Sequence, residues 1–246
     1  MSGGLGALYG IGVGPGQPGL LTCRAADCLR QVDRIVVPKA RGAQHSTARQ
    51  CVEWLQLADD KFMECEFSLD GDPQQRARHY ASVARQLLDH LEIGRDIAYL
   101  TLGDAMTYST YVYTLHALKQ QQPSLLYETI PGITSYSTAA AKLDFPLGLS
   151  DERILILPCP DAMEPLRRDI QSHDVVVLMK IASKLDAVLA LLREMGIIEH
   201  CVLAHRVGLG GEVLERHLGR LAGQRLGYLS VVLIRKRPPL LQEPTA

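Results

Sequence analysis

The sequence predicts an α/β protein in two halves with mainly parallel sheets, and three observations carry that reading. Apolar runs rich in β-branched residues alternate with segments of helical period. Near the middle, in KQQQPSLL, a glutamine run and Pro123 interrupt the rhythm. With 246 residues, 47% of them hydrophobic, the chain can bury a large core.

In chain order, ALYGIGV reads as a strand running into a glycine-rich turn, LLTCRAADCLRQ as a helix and DRIVVP as a second strand. STARQCVEWL follows as a helix, KFMECEF as a strand, QQRARHYASVARQLLDHL as a longer helix and DIAYLTL as a fourth strand. A further helix begins near Tyr108 and stops at the glutamine run. This β-α-β succession predicts a first domain over 1–119. From Leu125 onward LLYETI, RILILP, DVVVLM, CVLAHRV and YLSVVLI supply five more strands, with helices such as SKLDAVLALLREMG between some of them. They predict a second domain over 120–246.

The formal net charge is -1, so no global field favours a nucleic acid backbone, whereas a local basic pocket for an acidic small molecule is compatible with it. No basic segment followed by a long apolar run opens the chain, and no apolar run reaches the roughly 18 residues that span a bilayer. A cytoplasmic protein without a membrane partner is expected. Six cysteines (Cys23, Cys28, Cys51, Cys65, Cys159 and Cys201) never form a C-x-x-C pair, which predicts reduced thiols and no metal site.

Gly14, Gly16 and Gly19 spell G-x-G-x-x-G in YGIGVGPGQPGLLT. A dinucleotide turn also needs an acidic residue at the exit of the second strand, to grip the ribose. Here that exit carries Pro38 and Lys39, with Asp33 at the opposite end, and Pro15 removes a backbone donor. Neither a dinucleotide loop nor the usual methyltransferase loop fits.

Four further segments lie at or just after strand ends: TLGDAMTYST, IPGITSYSTAAA, LMKIASK and AHRVGLGGE. In parallel sheets ligands collect at such ends, so these loops are expected to converge on one crevice between the halves. With the glycine-proline loop they resemble the tetrapyrrole (corrin and porphyrin) methyltransferase family over almost the whole chain. The resemblance implies two unlike α/β domains with an active-site cleft between them, in which S-adenosylmethionine lies folded. It also implies that the glycine-proline loop shapes a tetrapyrrole trough instead of binding phosphate. Within the family, YGIGVGPGQPGLLT, VPKARGAQHSTA, LGDAMTYSTYVY and GYLSVVLI are most similar to the C20-methyltransferases of cobalamin synthesis. That similarity implies methyl transfer to C20 of precorrin-2 or cobalt-factor II. Two departures stand out: Ala105 where the family usually has proline, and Gln17 and Gly19 where acidic residues are common.

For the cofactor the resemblance implies Leu102, Gly103, Asp104, Met106 and Thr107 at the methionine part, and Pro15 near the methyl-bearing end. Thr134 and Ser135 also line that site, though both read equally as helix caps. Met179, Lys180 and Ile181, with Arg206, Val207 and Gly208, surround the adenosine; Met179 also reads as a core residue. Gly14, Pro15 and Tyr108 face the tetrapyrrole. Its many carboxylates call for cations, and Lys39, Arg41 and His45 after the second strand are the candidates, against a solvated loop as the plain alternative. The expected reaction is direct displacement at the sulfonium methyl, governed by alignment and needing no metal. C20 must then lose a proton, for which Asp104 and Tyr228 are the candidate bases. Asp104 reads equally as a cap for the following helix, and Tyr228 as a core-edge residue. A homodimer is implied by the family alone.

Overall fold

The computed structural model describes residues 4–40, 46–67 and 72–238. Arg41 and His45, two of the three candidate cations, lie outside them. Five strands form the first sheet: β1 (Leu8–Gly12), β2 (Arg34–Ala40), β3 (Phe62–Phe67), β4 (Ile97–Thr101) and β5 (Tyr127–Ile130). Their order is β3-β2-β4-β1-β5, and every pairing is parallel. The central strand β4 is buried at each position, which is why its sequence is a continuous apolar run and not an alternation.

Three helices of this unit begin or pack by local rules. The Thr22 hydroxyl accepts from Ala25 N–H at 3.2 Å and starts α1 (Cys23–Gln31). Asp72 accepts from Gln74 and Gln75 N–H, with Pro73 in the first turn, and starts α3 (Pro73–Leu91). That helix buries Tyr80, Val83, Ala84, Leu87, Leu88 and Leu91, a stripe at helical spacing. It packs beside α4 (Tyr111–Gln121), where Tyr111 lies over Gly10: a Cβ there would come within 2.0 Å of the ring.

Four expectations change. STARQCVEWL forms only α2 (Thr47–Gln50) and a 3-10 turn at Glu53–Leu55, joined through the buried Cys51 and Val52 and ended by Gln56, which is left-handed at φ 51°. The helix expected from Tyr108 starts at Tyr111, since Tyr108 itself is left-handed at φ 51°. The domain boundary falls after Thr134, not after 119, because LLYETI returns to the first sheet and pairs with β1, Leu8 opposite Tyr127. The glutamine run merely ends α4.

The fourth concerns the second sheet, made of β6 (Ile154–Pro158), β7 (Val175–Met179), β8 (Cys201–His205), β9 (Val213–Glu215) and β10 (Ser230–Arg235). Its order is β6-β7-β10-β8-β9, and only β6 and β7 are parallel. The last strand, β10, inserts antiparallel to both β7 and β8. Alternate residues then face opposite layers. Val176, Leu178, Leu203, Val232 and Ile234 join the core of α6 (Met163–Ser172) and α7 (Leu185–Glu194). Val175, Val177, Val202, Val231 and Leu233 pack with Ala139 of α5 (Ser135–Lys142) and with Phe145. Among the described residues no helix is long and apolar enough to cross a membrane.

Candidate functional site

In the first unit β4, β1 and β5 are neighbours and parallel, so the loops leaving their carboxyl ends must meet. Val13 N–H donates to Thr101 O at 2.9 Å, and Gly14 and Gly103 exchange backbone bonds of 3.0 and 2.7 Å. Gly132, after β5, presses on both. A Cβ at Gly132 would stand 2.2 Å from the Gly103 carbonyl oxygen, and one at Gly12 2.5 Å from the Gly132 nitrogen. These contacts are backbone against backbone and cannot yield by a rotamer change.

The same bonds decide what the glycine turn does. The Val13 and Gly14 amides are committed to the β4 loop and Pro15 has none, so the start of the turn offers no donor nest to a pyrophosphate. Gly19, the third glycine of the spelled motif, sits in a 3-10 turn (Pro18–Leu20) where an added Cβ would meet nothing within 4 Å. The turn is loop-to-loop packing, and Gly14 and a buried Pro15 are held inside it.

Asp104 secures this junction. One carboxylate oxygen accepts from Met106 N–H at 2.9 Å and Thr107 hydroxyl at 3.0 Å; the other accepts from Gly132 N–H at 3.1 Å. Asp104 therefore closes its own turn and ties it to the β5 loop, and it caps no helix, since α4 begins seven residues later at Tyr111. Ala105 is fully buried and its carbonyl accepts from the Ser109 hydroxyl, which holds the turn where the resembling family uses proline. Gly103 is buried at φ 75°, yet a Cβ on it would meet nothing within 4 Å, so open space adjoins the loop backbone. Leu102 and Thr107 are half-buried, whereas Met106 and Tyr108 are exposed. Thr134 closes the first unit and Ser135 opens α5. Lys39 lies inside β2 instead of in a loop, and its ammonium pairs with Glu64 of β3 at 2.5 Å.

In the second unit β10 runs antiparallel between β7 and β8, so its entry meets their carboxyl ends. Lys180 N–H donates to Ser230 O at 3.1 Å and Arg206 N–H to Leu229 O at 2.8 Å. Lys180, Ala182 and Arg206 have φ of 59°, 46° and 50°, left-handed conformations unfavourable for non-glycine residues. Ile181 and Val207 are buried anchors beside them, and Met179 is half-buried against the α5 layer. The Lys180 ammonium stands 5.3 Å from the Tyr228 ring centroid, and Tyr228 is 48% exposed, not a core-edge residue. The Arg206 guanidinium folds back to Gly210 O at 2.6 Å, while Gly208 N–H donates to Glu212 at 2.8 Å.

Sequence reasoning missed two groups here, His205 and Glu212. Ser230 donates its single hydroxyl hydrogen to Gly227 O at 2.8 Å, so it accepts from His205 Nδ1 at 2.8 Å, which fixes the Nδ1–H tautomer. Burial, followed by the nearby Arg206 charge, pushes the His205 pKa below its ordinary value. The only sequence signal was adjacency to Arg206. Glu212 appears in the quoted AHRVGLGGE, but its partners lie 4 and 70 residues away and leave no pattern.

Comparison with known proteins shows the family and the fold. The sequence profile of the Tetrapyrrole (Corrin/Porphyrin) Methylases matches residues 7–222. The cobalt-precorrin-2 C(20)-methyltransferase of Salmonella typhimurium is 31% identical over 233 residues, covering 94% of this chain and 97% of that protein. The precorrin-2 C(20)-methyltransferase of Sinorhizobium is 29% identical, covering 95% and 97%. Among solved structures, uroporphyrin-III C-methyltransferase from Thermus thermophilus complexed with S-adenosyl homocysteine shares the fold, with TM-score 0.64 at 18% identity over 94% of this chain and 92% of that one. A cobalt precorrin-4 methyltransferase does so at TM-score 0.68 and 20% identity, covering 93% and 94%.

Proposed function

The chain belongs to the tetrapyrrole (corrin/porphyrin) methylase family, and on that premise we propose that it transfers a methyl group from S-adenosylmethionine to C20 of precorrin-2 or cobalt-factor II in cobalamin biosynthesis. The observation that carries the reading is the end-to-end match, 97% of its length, to a relative named for C20 methylation of cobalt-precorrin-2.

The residues present fit the cofactor. Open space beside the buried backbone of Gly103 leaves room for a ligand against that loop, and Met106 is 58% exposed next to it. S-adenosylmethionine, when bound, supplies a methyl group activated on a sulfonium. In this reading Leu102, Gly103, Met106 and Thr107 line the methionine part, chiefly by carbonyls since the Gly103 and Met106 amides already donate to Gly14 O and Asp104, with Asp104 as the positioning residue that holds their turn. Pro15 faces the methyl-bearing end, with Thr134 and Ser135 nearby. Met179, Lys180 and Ile181, with Arg206, Val207 and Gly208, are assigned to the adenosine, chiefly by backbone, since Ile181 and Val207 are buried and the Arg206 side chain is directed into its own loop.

Gly14, Pro15, Tyr108, Lys39, Arg41 and His45 are assigned to the tetrapyrrole. Lys39 must exchange Glu64 for a substrate carboxylate to serve there. For the proton leaving C20 the candidates are Asp104, whose carboxylate already accepts three hydrogen bonds, and Tyr228, whose exposed side chain could take the proton only as its phenolate, with water as the remaining acceptor. A cytoplasmic homodimer completes the proposal on family grounds; sedimentation velocity showing only monomer would remove that part.

The test is an anaerobic incubation with methyl-labelled S-adenosylmethionine, offering precorrin-2 and cobalt-factor II in parallel. Label should enter a tetrapyrrole in one arm or both, and the preferred arm identifies the substrate. Label in neither arm, with cofactor binding intact, would redirect the assignment to another ring position or a non-tetrapyrrole acceptor.

A further inference from the structure

We infer that Lys142 and Glu212 are positioning residues for the cofactor turn at 206–208, an inference that rests on the S-adenosylmethionine reading above. That turn is conformationally demanding. Within six residues Arg206, Gly208 and Gly211 take φ of 50°, 78° and 77°. A left-handed arginine persists only where its surroundings impose it. Three bonds hold the turn to itself or to the β10 entry: Arg206 N–H to Leu229 O, Leu209 N–H to Arg206 O, and Arg206 Nε–H to Gly210 O.

Glu212 supplies the tie to the rest of the unit. One carboxylate oxygen accepts from Gly208 N–H at 2.8 Å, and the two oxygens accept from Lys142 Nζ at 2.7 and 3.1 Å. Because the peptide is planar and trans, fixing the Gly208 N–H toward Glu212 turns the Val207 carbonyl the opposite way. The carboxylate thus sets the orientation of a whole peptide plane in the turn. Lys142 is the last residue of α5, a favourable end for a cation, and Ser135 is the first. One eight-residue helix therefore carries an assigned cofactor contact at one end and the anchor of the second cofactor segment at the other. The paired side chains are 28% and 27% exposed, so solvent only partly screens them. Burial opposes the Glu212 charge, but Lys142 and the Gly208 N–H outweigh it and hold its pKa below the ordinary carboxylate value.

The experiment is calorimetric titration of S-adenosylhomocysteine into the full chain and into Glu212→Gln, Lys142→Gln, Lys142→Arg and the Glu212→Gln/Lys142→Gln double variant. Glu212→Gln should weaken Kd about tenfold, the scale of one hydrogen bond to a charged group. Lys142→Gln should weaken it about threefold, Lys142→Arg should restore it, and the double variant should be no worse than Glu212→Gln, because both act through one contact. Any fall in the unfolding temperature without ligand should be no larger in the double variant than in Glu212→Gln, and the KM for tetrapyrrole should stay at the wild-type value, whereas a merely structural loss would weaken tetrapyrrole and cofactor together. Wild-type affinity in Glu212→Gln overturns the inference. If that variant does not fold, equal affinities in Lys142→Gln and wild type overturn it instead. A wild-type chain that binds no S-adenosylhomocysteine at all defeats the cofactor reading itself, and is recognised before any variant is compared.

Discussion

At the scale of single residues, the glycine loop separates what a motif spells from what the backbone needs. Gly132→Ala would drive a methyl group to 2.2 Å from the Gly103 carbonyl, so urea denaturation should show a loss of at least about 2 kcal/mol, as for overpacking that cannot relax. Gly19→Ala meets nothing and should change stability by less than about 1 kcal/mol in either direction. Equal effects at the two positions would refute the loop-packing account. For Asp104→Asn the outcome follows from donor counting. An amide has one acceptor oxygen, so either Gly132 N–H or the Met106 and Thr107 pair loses its partner, costing about 1–3 kcal/mol. Weaker cofactor binding with an unchanged pH profile of single turnover is expected; a lost pH limb would return Asp104 to the role of base. The sequence made Asp104 conspicuous but left open whether it was a base or a cap. Its third partner, Gly132 N–H, lies 28 residues away and is visible only in the fold.

At the scale of elements, strands were legible wherever an apolar run met a turn signal, and their pairing was not. DIAYLTL and DVVVLM look alike in sequence, yet β4 lies among parallel neighbours and β7 pairs antiparallel with β10, because pairing direction is decided by where the chain returns. β9, three residues long, has too few positions to show alternation. In STARQCVEWL the helical period was real locally, but the helix breaks at the buried Cys51 and Val52. The α7 layer offers a direct check of the packing. Leu192 is fully buried with Leu189 and Ile170 in the core beneath the second sheet, so Leu192→Ala should cost about 2–5 kcal/mol in denaturant. A loss under about 1 kcal/mol would mean that the helix does not seat there.

At the scale of the whole molecule, the thiols report on both units at once. Burial pushes Cys51 and Cys201 up to about 12, and Cys28 and Cys65 up to about 11, while Cys159 is also raised, first by burial. These groups stay protonated and unreactive near pH 8, whereas Cys23 is exposed. A thiol reagent at pH 8 should modify one cysteine quickly in the native protein and all 6 after denaturation. Several fast thiols in the native state would contradict the cores described. The balanced charge of -1 was legible from composition, and the family from five ordered loop motifs at the strand ends. How the second sheet is wired and what braces the 206–212 turn were not, since both depend on contacts distant in sequence.

The central claim is the position of the transferred methyl group. The most direct measurement is carbon NMR of the tetrapyrrole product formed from S-adenosylmethionine labelled at its methyl carbon. The account predicts a single enriched methyl on the meso carbon C20; enrichment at a pyrrole-ring carbon, with C20 unlabelled, would contradict it.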